Sequence, residues 1–172
     1  MAQVAVEKAP FVYDASLEDQ EADAAFENPT PGNVLAVLVD VVPLGWMVQK
    51  AFKEGDPDKE VFKMDLIFQI EEVNQKGYRF TPRRRVTLSL NEKATFRKYF
   101  EAIVGRTATG DEQTGKTKVT PKSLFPYIGK TSVLLNLIQP PDSKYVNIDA
   151  ITTLPKGMTG LDPLNYTRVK DR

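Results

Sequence analysis

The stretch Phe62-Lys63-Met64-Asp65-Leu66-Ile67-Phe68-Gln69-Ile70 decides the fold class of this chain, because apolar side chains occupy every second position. An alternation of period two places the even-numbered side chains on one face of an extended strand. Turn-forming residues lie on both sides, at 53–59 and at 74–77. We therefore predict a strand with one buried face, in an antiparallel and mainly β protein.

Two neighbouring segments supply further strands. Residues 34–42 are almost all aliphatic or β-branched and end at Pro43-Leu44-Gly45, which predicts a central, bent first strand. Residues 78–90 form a third extended run that contains Pro82. Because proline cannot donate to a ladder, we expect a bulge or a sheet edge there.

The clearest helix follows the third strand. Ser89-Leu90-Asn91-Glu92 fits a capping box, Phe96, Phe100 and Ile103 recur at helical spacing, and Gly105 occupies a C-cap position. The pattern predicts an amphipathic helix that ends at Gly105.

The rest of the chain completes a five-stranded pattern. A polar loop is expected at 107–120, a short helical turn at 121–127, and two more strands at 131–138 and 144–151. Five strands with a helix between the third and the fourth is the order of the OB-fold, a small antiparallel Greek-key barrel. We divide the chain into an N-terminal arm (1–32), an OB-like domain (33–158) and a C-terminal tail (159–172).

Composition argues against catalysis and against membrane insertion. The chain has no Cys and no His, so disulfides, thiolate metal sites and the commonest general base are excluded, and we expect neither metal nor cofactor. The longest apolar run, 34–42, is far below the roughly 20 residues of a membrane helix. No signal-peptide pattern begins the sequence, which predicts a cytoplasmic protein.

The charges are segregated along the chain, although they sum to zero. Residues 1–32 contain seven acidic residues and one Lys, whereas residues 76–130 contain thirteen Lys or Arg and four acidic residues. A basic body with an acidic arm indicates a polyanionic ligand. The arm is expected to compete with that ligand for the basic face.

The segment Gly110-Asp-Glu-Gln-Thr-Gly-Lys-Thr117 matches the phosphate-binding loop pattern. Such a loop requires a strand before it and a helix that starts at its Lys. A helix ending at Gly105 comes before it and Pro121 follows shortly after, so we predict a solvated loop and no nucleotide hydrolysis.

Basic and aromatic residues lie close together in the predicted ligand face. Single-stranded nucleic acid is held by cations along its backbone and by rings that stack on its bases. The candidate nucleic-acid-binding residues are Arg79, Arg83, Arg84, Arg85, Lys130, Lys144, Trp46, Tyr78, Phe80 and Tyr145. A simpler interpretation stays open, in which the arginines form a solvated strand edge and the rings of Tyr78 and Phe80 belong to the core.

Four segments of the sequence resemble those of a known family. They are Val86-Thr-Leu-Ser-Leu-Asn-Glu-Lys-Ala, Ile128-Gly-Lys-Thr-Ser-Val-Leu-Leu-Asn, Tyr145-Val-Asn-Ile-Asp-Ala-Ile and Leu154-Pro-Lys-Gly-Met. Over about 80–158 the chain resembles small bacteriophage proteins that are regarded as OB-fold single-stranded DNA-binding proteins of phage replication or recombination.

The resemblance implies a non-catalytic protein of the host-cell cytoplasm that binds single-stranded DNA with little sequence preference. Self-association and recruitment of phage or host replication proteins stay open as further partnerships. Proteins of this kind usually have an acidic C-terminal tail, whereas residues 168–172 of this chain, Arg-Val-Lys-Asp-Arg, are basic. The alternative is a phage structural or adaptor protein that docks onto other subunits through its barrel.

Overall fold

The computed structural model of the chain describes residues 27–91 and 94–172, so most of the predicted acidic arm and Glu92 of the predicted capping box lie outside the described residues. The described chain is mainly β. Its strands are β1 (Gly32–Gln49), β2 (Lys59–Ile70), β3 (Arg83–Thr87), β4 (Ser132–Ile138) and β5 (Asn147–Thr153). Its helices are α1 (Thr95–Val104), α2 (Gly110–Thr114) and two 3₁₀ turns, Pro121–Tyr127 and Val169–Asp171.

The five strands form one open antiparallel sheet in the order β3-β2-β1-β4-β5. β3 lies at an edge, where Pro82 can accept a hydrogen bond from Phe68 N (2.9 Å) without having to donate one. The two edge strands approach each other, with some Cα atoms of β3 and β5 within 8 Å. No hydrogen-bonded ladder joins them in the part of the chain that the structure describes.

One face of the sheet packs against α1 and forms the main core. Leu38, Phe68 and Leu135 of the sheet are fully buried there beside Phe96 and Phe100 of the helix. Burying a side chain of this size contributes roughly 1.5–3 kcal/mol. The alternation predicted for β2 is confirmed, since its even-numbered residues from Met64 onward are part of this core.

A β-bulge in β1 moves Asp40 out of the main core. Leu38 pairs with Phe68 and Asp40 pairs with Ile67, so Val39 is the additional residue. Without the bulge Asp40 would lie opposite Leu66, on the core face. We call the other side, which bears Val37, Val39 and Ile67, the outer face.

Two predictions about the helical region are wrong. The helix α1 begins at Thr95 with Ala94 as its N-cap, and no side-chain capping hydrogen bond is present among the described residues. The Ser89 hydroxyl instead accepts from Asn91 N (3.3 Å), because the buried Leu90 keeps this segment against the core as extended chain. The predicted end is confirmed, since Gly105 has a left-handed backbone (φ 80°).

The second error concerns the loop at 107–120. This loop contains α2, whose capping box joins the Thr109 hydroxyl to Glu112 N (3.1 Å) and the Glu112 carboxylate to Thr109 N (2.9 Å). A Thr with Glu three residues later is a signal that the sequence offers for this helix start.

Candidate nucleic-acid interface

Two accessible cations flank one buried acid on the outer face. Arg85 Nε donates to Asp65 Oδ1 over 3.0 Å, and Arg83 Nη1 lies 3.8 Å from Asp65 Oδ2. The side chains of Arg83 and Arg85 are 59% and 60% exposed, whereas that of Asp65 is buried. The hydrogen bond with Asp65, together with its charge, raises the pKa of Arg85. One carboxylate thus orders two guanidiniums that a ligand can still reach.

The other candidate residues of the predicted third strand, 78–90, divide between the two faces of the sheet. Arg84 pairs with the core residue Leu66, so it lies on the face opposite Arg83 and Arg85. Phe80 is half-buried and packs against the main core. Arg79 belongs with the outer face, where its Nη1 donates to Gln69 Oε1 (3.3 Å) and to the backbone oxygen of Asp162 (2.7 Å).

The C-terminal segment, residues 160–172, packs on the outer face. Leu161 is buried there against the apolar residues of β1 and β2. Its backbone N–H donates to Ser132 Oγ (2.8 Å), and Gln69 exchanges two hydrogen bonds of 2.7 Å with the backbone of Leu164. This segment therefore brings its basic residues to the same face as the arginines of β3.

Asp40 anchors this segment. Its carboxylate accepts from Arg168 Nε (3.0 Å), Val169 N (2.8 Å) and the Tyr166 hydroxyl (3.3 Å). Burial raises the pKa of Tyr166, and the charge of Asp40 raises it further. The sequence signal for this contact is an Asp inside an apolar strand together with basic and aromatic residues in the tail, and none of these residues is among the predicted site residues.

The exposed ring of Tyr78 lies at one end of the interface. Residues 27–30 connect the β2–β3 hairpin, which contains Tyr78, to the β4–β5 loop. Glu27 accepts a hydrogen bond from Gln75 N (2.9 Å), and Asn28 Oδ1 accepts one from Val146 N (2.9 Å). Tyr145 comes directly before Val146 in that loop, and Lys144 Nζ lies 5.5 Å from its ring centre. Tyr78, Lys144 and Tyr145 therefore belong to the same end of the sheet.

Trp46 and Lys130 are placed elsewhere. Trp46 pairs with Phe62 in the hairpin of β1 and β2, and its 71% exposed ring contacts Phe62 edge-on at 5.6 Å. It borders a cleft of about 1130 Å³ between this hairpin, the end of β3 and residues 112–121. Lys130 is exposed in the turn before β4, beside β1 on the side away from β2. Neither lies among the outer-face arginines.

The segment Gly110–Thr117 does not have the arrangement of a phosphate-binding loop. The short helix α2 occupies its first half, and the residues from Gly115 to Thr120 are not helical. Glu112 is engaged by Arg106, with Nη1 2.6 Å from Oε1. The strand and the following helix that would direct N–H groups at a phosphate are both missing from this described segment.

A titration of Glu112 tests this local structure. The hydrogen bonds from Arg106 and then from Thr109 N lower the pKa of Glu112 to about 2. The contribution of Glu112 to stability should therefore be complete above its ordinary pKa of 4.5 and be lost as the pH falls through about 2. We expect carboxyl-carbon NMR to show this low pKa, and Arg106→Gln to raise it. An ordinary pKa in the native chain would contradict the Arg106–Glu112 pair.

Within residues 27–91 and 94–172, no three His, Cys, Asp or Glu side chains are grouped so that they could hold a metal ion. Among the described helices, none has the length and apolar character required to cross a membrane. Comparison with protein-family models, with curated proteins and with solved structures finds no match for this chain.

Proposed function

We propose that this protein binds single-stranded DNA without catalysis, along the outer face of β2 and β3. The observation that supports this most is the group of Arg79, Arg83 and Arg85 on one face, with Asp65 as the acidic side chain held between the last two. The exposed guanidiniums of Arg83 and Arg85 can neutralise phosphates, and the exposed Tyr78, next to Arg79 in the chain, offers a ring for a base. Such binding tolerates many sequences.

The topology supports the proposal as well. The observed strand order becomes that of an OB barrel if β3 closes against β5, and α1 lies between the third and the fourth strand. OB barrels bind oligonucleotides on the face of their second and third strands. A role in phage replication or recombination in the host cytoplasm rests on the sequence resemblance.

Fluorescence anisotropy with labelled oligo-dT tests the function directly. We expect binding at low salt that weakens linearly on a log–log plot as salt is added, because each neutralised phosphate releases counterions. A duplex of equal length should bind more weakly. No anisotropy change at low salt would refute the proposal.

Tyr78 gives the stacking prediction. Tyr78→Ala should weaken oligo-dT binding by about 1–3 kcal/mol, the range for one base stacked on an aromatic ring. Tyr78→Phe keeps the ring and is the matched control, so its affinity should equal that of the wild type. Anisotropy titrations of both variants measure this. Equal losses in both, or none in either, would exclude stacking on this ring.

A second candidate function, docking onto another protein as a phage structural or adaptor subunit, is favoured by the hairpin of β1 and β2. Four large apolar side chains are exposed on it, Trp46, Met47, Val48 and Phe52, and exposed apolar surface of this kind is typical of an interaction site. If the subunit it docks onto is a second copy of this chain, the sedimentation coefficient should rise with protein concentration, and Trp46→Ser/Phe52→Ser should abolish that rise.

A further inference from the structure

A polar pocket of about 320 Å³ lies on the outer face, between the turn at 77–81 and residues 164–172 of the C-terminal segment. Arg79 and Thr81 border it on one side, and Tyr166, Thr167 and Arg172 on the other. Its walls come from parts of the chain that are more than 80 residues apart, so it exists only because the C-terminal segment packs on β2.

Positive charge dominates this pocket. Arg79 and Arg172 are part of its wall, and Arg83 and Arg172 lie near enough to Tyr166 to oppose the rise in the pKa of that hydroxyl. The Tyr166 hydroxyl donates to Asp40 (3.3 Å), and Arg168 pairs with the same carboxylate at 3.0 Å. The residues that line the pocket thus include two arginines and no Asp or Glu side chain.

Both bordering guanidiniums retain donors for a ligand. A guanidinium has five N–H donors. Arg79 uses Nη1 for Gln69 and Asp162, and Arg172 uses Nε for the backbone oxygen of Thr167 (3.1 Å). Thr81 and Thr167 line the same space as the two arginines, and the Arg172 guanidinium lies 5.5 Å from the centre of the Tyr166 ring. Forked donors combined with hydroxyls suit a tetrahedral oxyanion with several acceptor oxygens.

We propose that this pocket binds one phosphate group of the single strand, held between Arg79 and Arg172, an inference that rests on the proposed function. Tyr78 also borders the pocket, so a base attached to the bound phosphate can reach its ring. Asn165, with a left-handed backbone (φ 52°), forms the turn that places Tyr166 toward Asp40 and Thr167 at the pocket wall. The basic C-terminal segment is thus part of the DNA site.

The first experiment compares Arg172→Gln with Lys170→Gln by oligo-dT anisotropy over a range of salt concentrations. Lys170 is a matched control, because it is an exposed cation two residues away that does not border the pocket. Arg172→Gln should weaken binding about fivefold at low salt and reduce the salt slope by about 0.7, the value for one phosphate of a single strand. Lys170→Gln should stay within about twofold of the wild type. Equal effects of the two substitutions would overturn the inference.

The second experiment separates a strand phosphate from a free one. Inorganic phosphate is added at constant ionic strength while the backbone amide resonances of Arg79, Tyr166 and Thr167 are followed. Shifts in the wild type that disappear in Arg172→Gln support a phosphate site. If inorganic phosphate causes no shifts, the pocket is not a site for the free ion. Weaker oligo-dT binding by Arg172→Gln, but not by Lys170→Gln, would then assign the pocket to a phosphate of the single-stranded DNA.

The outcomes also distinguish this inference from the proposed function. If the wild type binds oligo-dT and Arg172→Gln binds equally well, the pocket is not used and the function stands. If the wild type does not bind oligo-dT, the function and the strand phosphate both fail, whether or not inorganic phosphate shifts the amide resonances.

Discussion

Replacing Asp65, Arg83 and Arg85 together, as D65N/R83Q/R85Q, should weaken oligo-dT binding at least about tenfold at low salt, since two phosphate contacts are removed. The slope of log affinity against log salt should fall by about 1.4, because each phosphate neutralised on a single strand contributes about 0.7. Both guanidiniums are on the outer face and more than half exposed, so their loss removes accessible charge.

Asp65 is included in the triple variant for a structural reason. Its carboxylate is buried, and removal of both arginines alone would leave a buried charge without a partner, which costs several kcal/mol. The amide of Asn keeps the shape and removes the charge. A thermal melt of the triple variant close to that of the wild type verifies the fold before binding is measured.

Arg84→Gln is the matched control for this prediction. It changes the net charge by one unit, as the triple variant does, and Arg84 lies on the opposite face of the same strand. Its affinity for oligo-dT should remain within about twofold of the wild type. A larger loss of oligo-dT affinity in Arg84→Gln than in the triple variant would show that the DNA does not lie on the outer face.

Asp40→Ala should lower the free energy of unfolding by about 3 kcal/mol, the usual cost of breaking a buried charge network. The substitution removes the acceptor of Arg168, Tyr166 and Val169 N at once. The C-terminal segment should then separate from the sheet more readily. Urea unfolding measures the loss of stability, and limited proteolysis after Arg168 or Lys170 reports the separation.

Asp162→Ala is the control within the same segment. Arg79 bonds the backbone oxygen of Asp162 and not its side chain, so this variant should unfold within about 0.5 kcal/mol of the wild type. If Asp40→Ala were equally mild, the carboxylate would not anchor the segment. Oligo-dT binding by Asp40→Ala should also decline, because the phosphate pocket needs the segment in place.

Local signals in the sequence predicted most of the secondary structure. The alternation at 62–70 and the aliphatic run at 34–42 lie within β2 and β1, and Gly105 ends α1 as expected. These signals depend on neighbours along the chain, namely side-chain period and backbone freedom. The start of α1 was predicted five residues too early, because burial of Leu90 outweighed the local capping pattern.

The structure brings only some of the predicted site residues together. Arg79, Arg83 and Arg85 share one face as a binding surface requires, but the pairing of Arg84 with Leu66 divides the arginine triplet. Which arginine points outward depends on the register of β3 against β2, where Arg84 lies opposite Leu66 and Arg85 opposite Asp65. A single sequence does not specify that pairing.

Sequence patterns alone indicate that this protein is mainly β, that the long helix α1 lies between the third and fourth strands, and that its cations concentrate in 76–130. Only the tertiary structure decided that Asp40 lies on the outer face and holds residues 160–172 there, next to Arg79 and Arg83. The difference lies in the sequence separation between the residues that interact. Strand periodicity arises between adjacent residues, whereas a buried carboxylate finds its partners across more than 120 positions through the packing of the whole sheet.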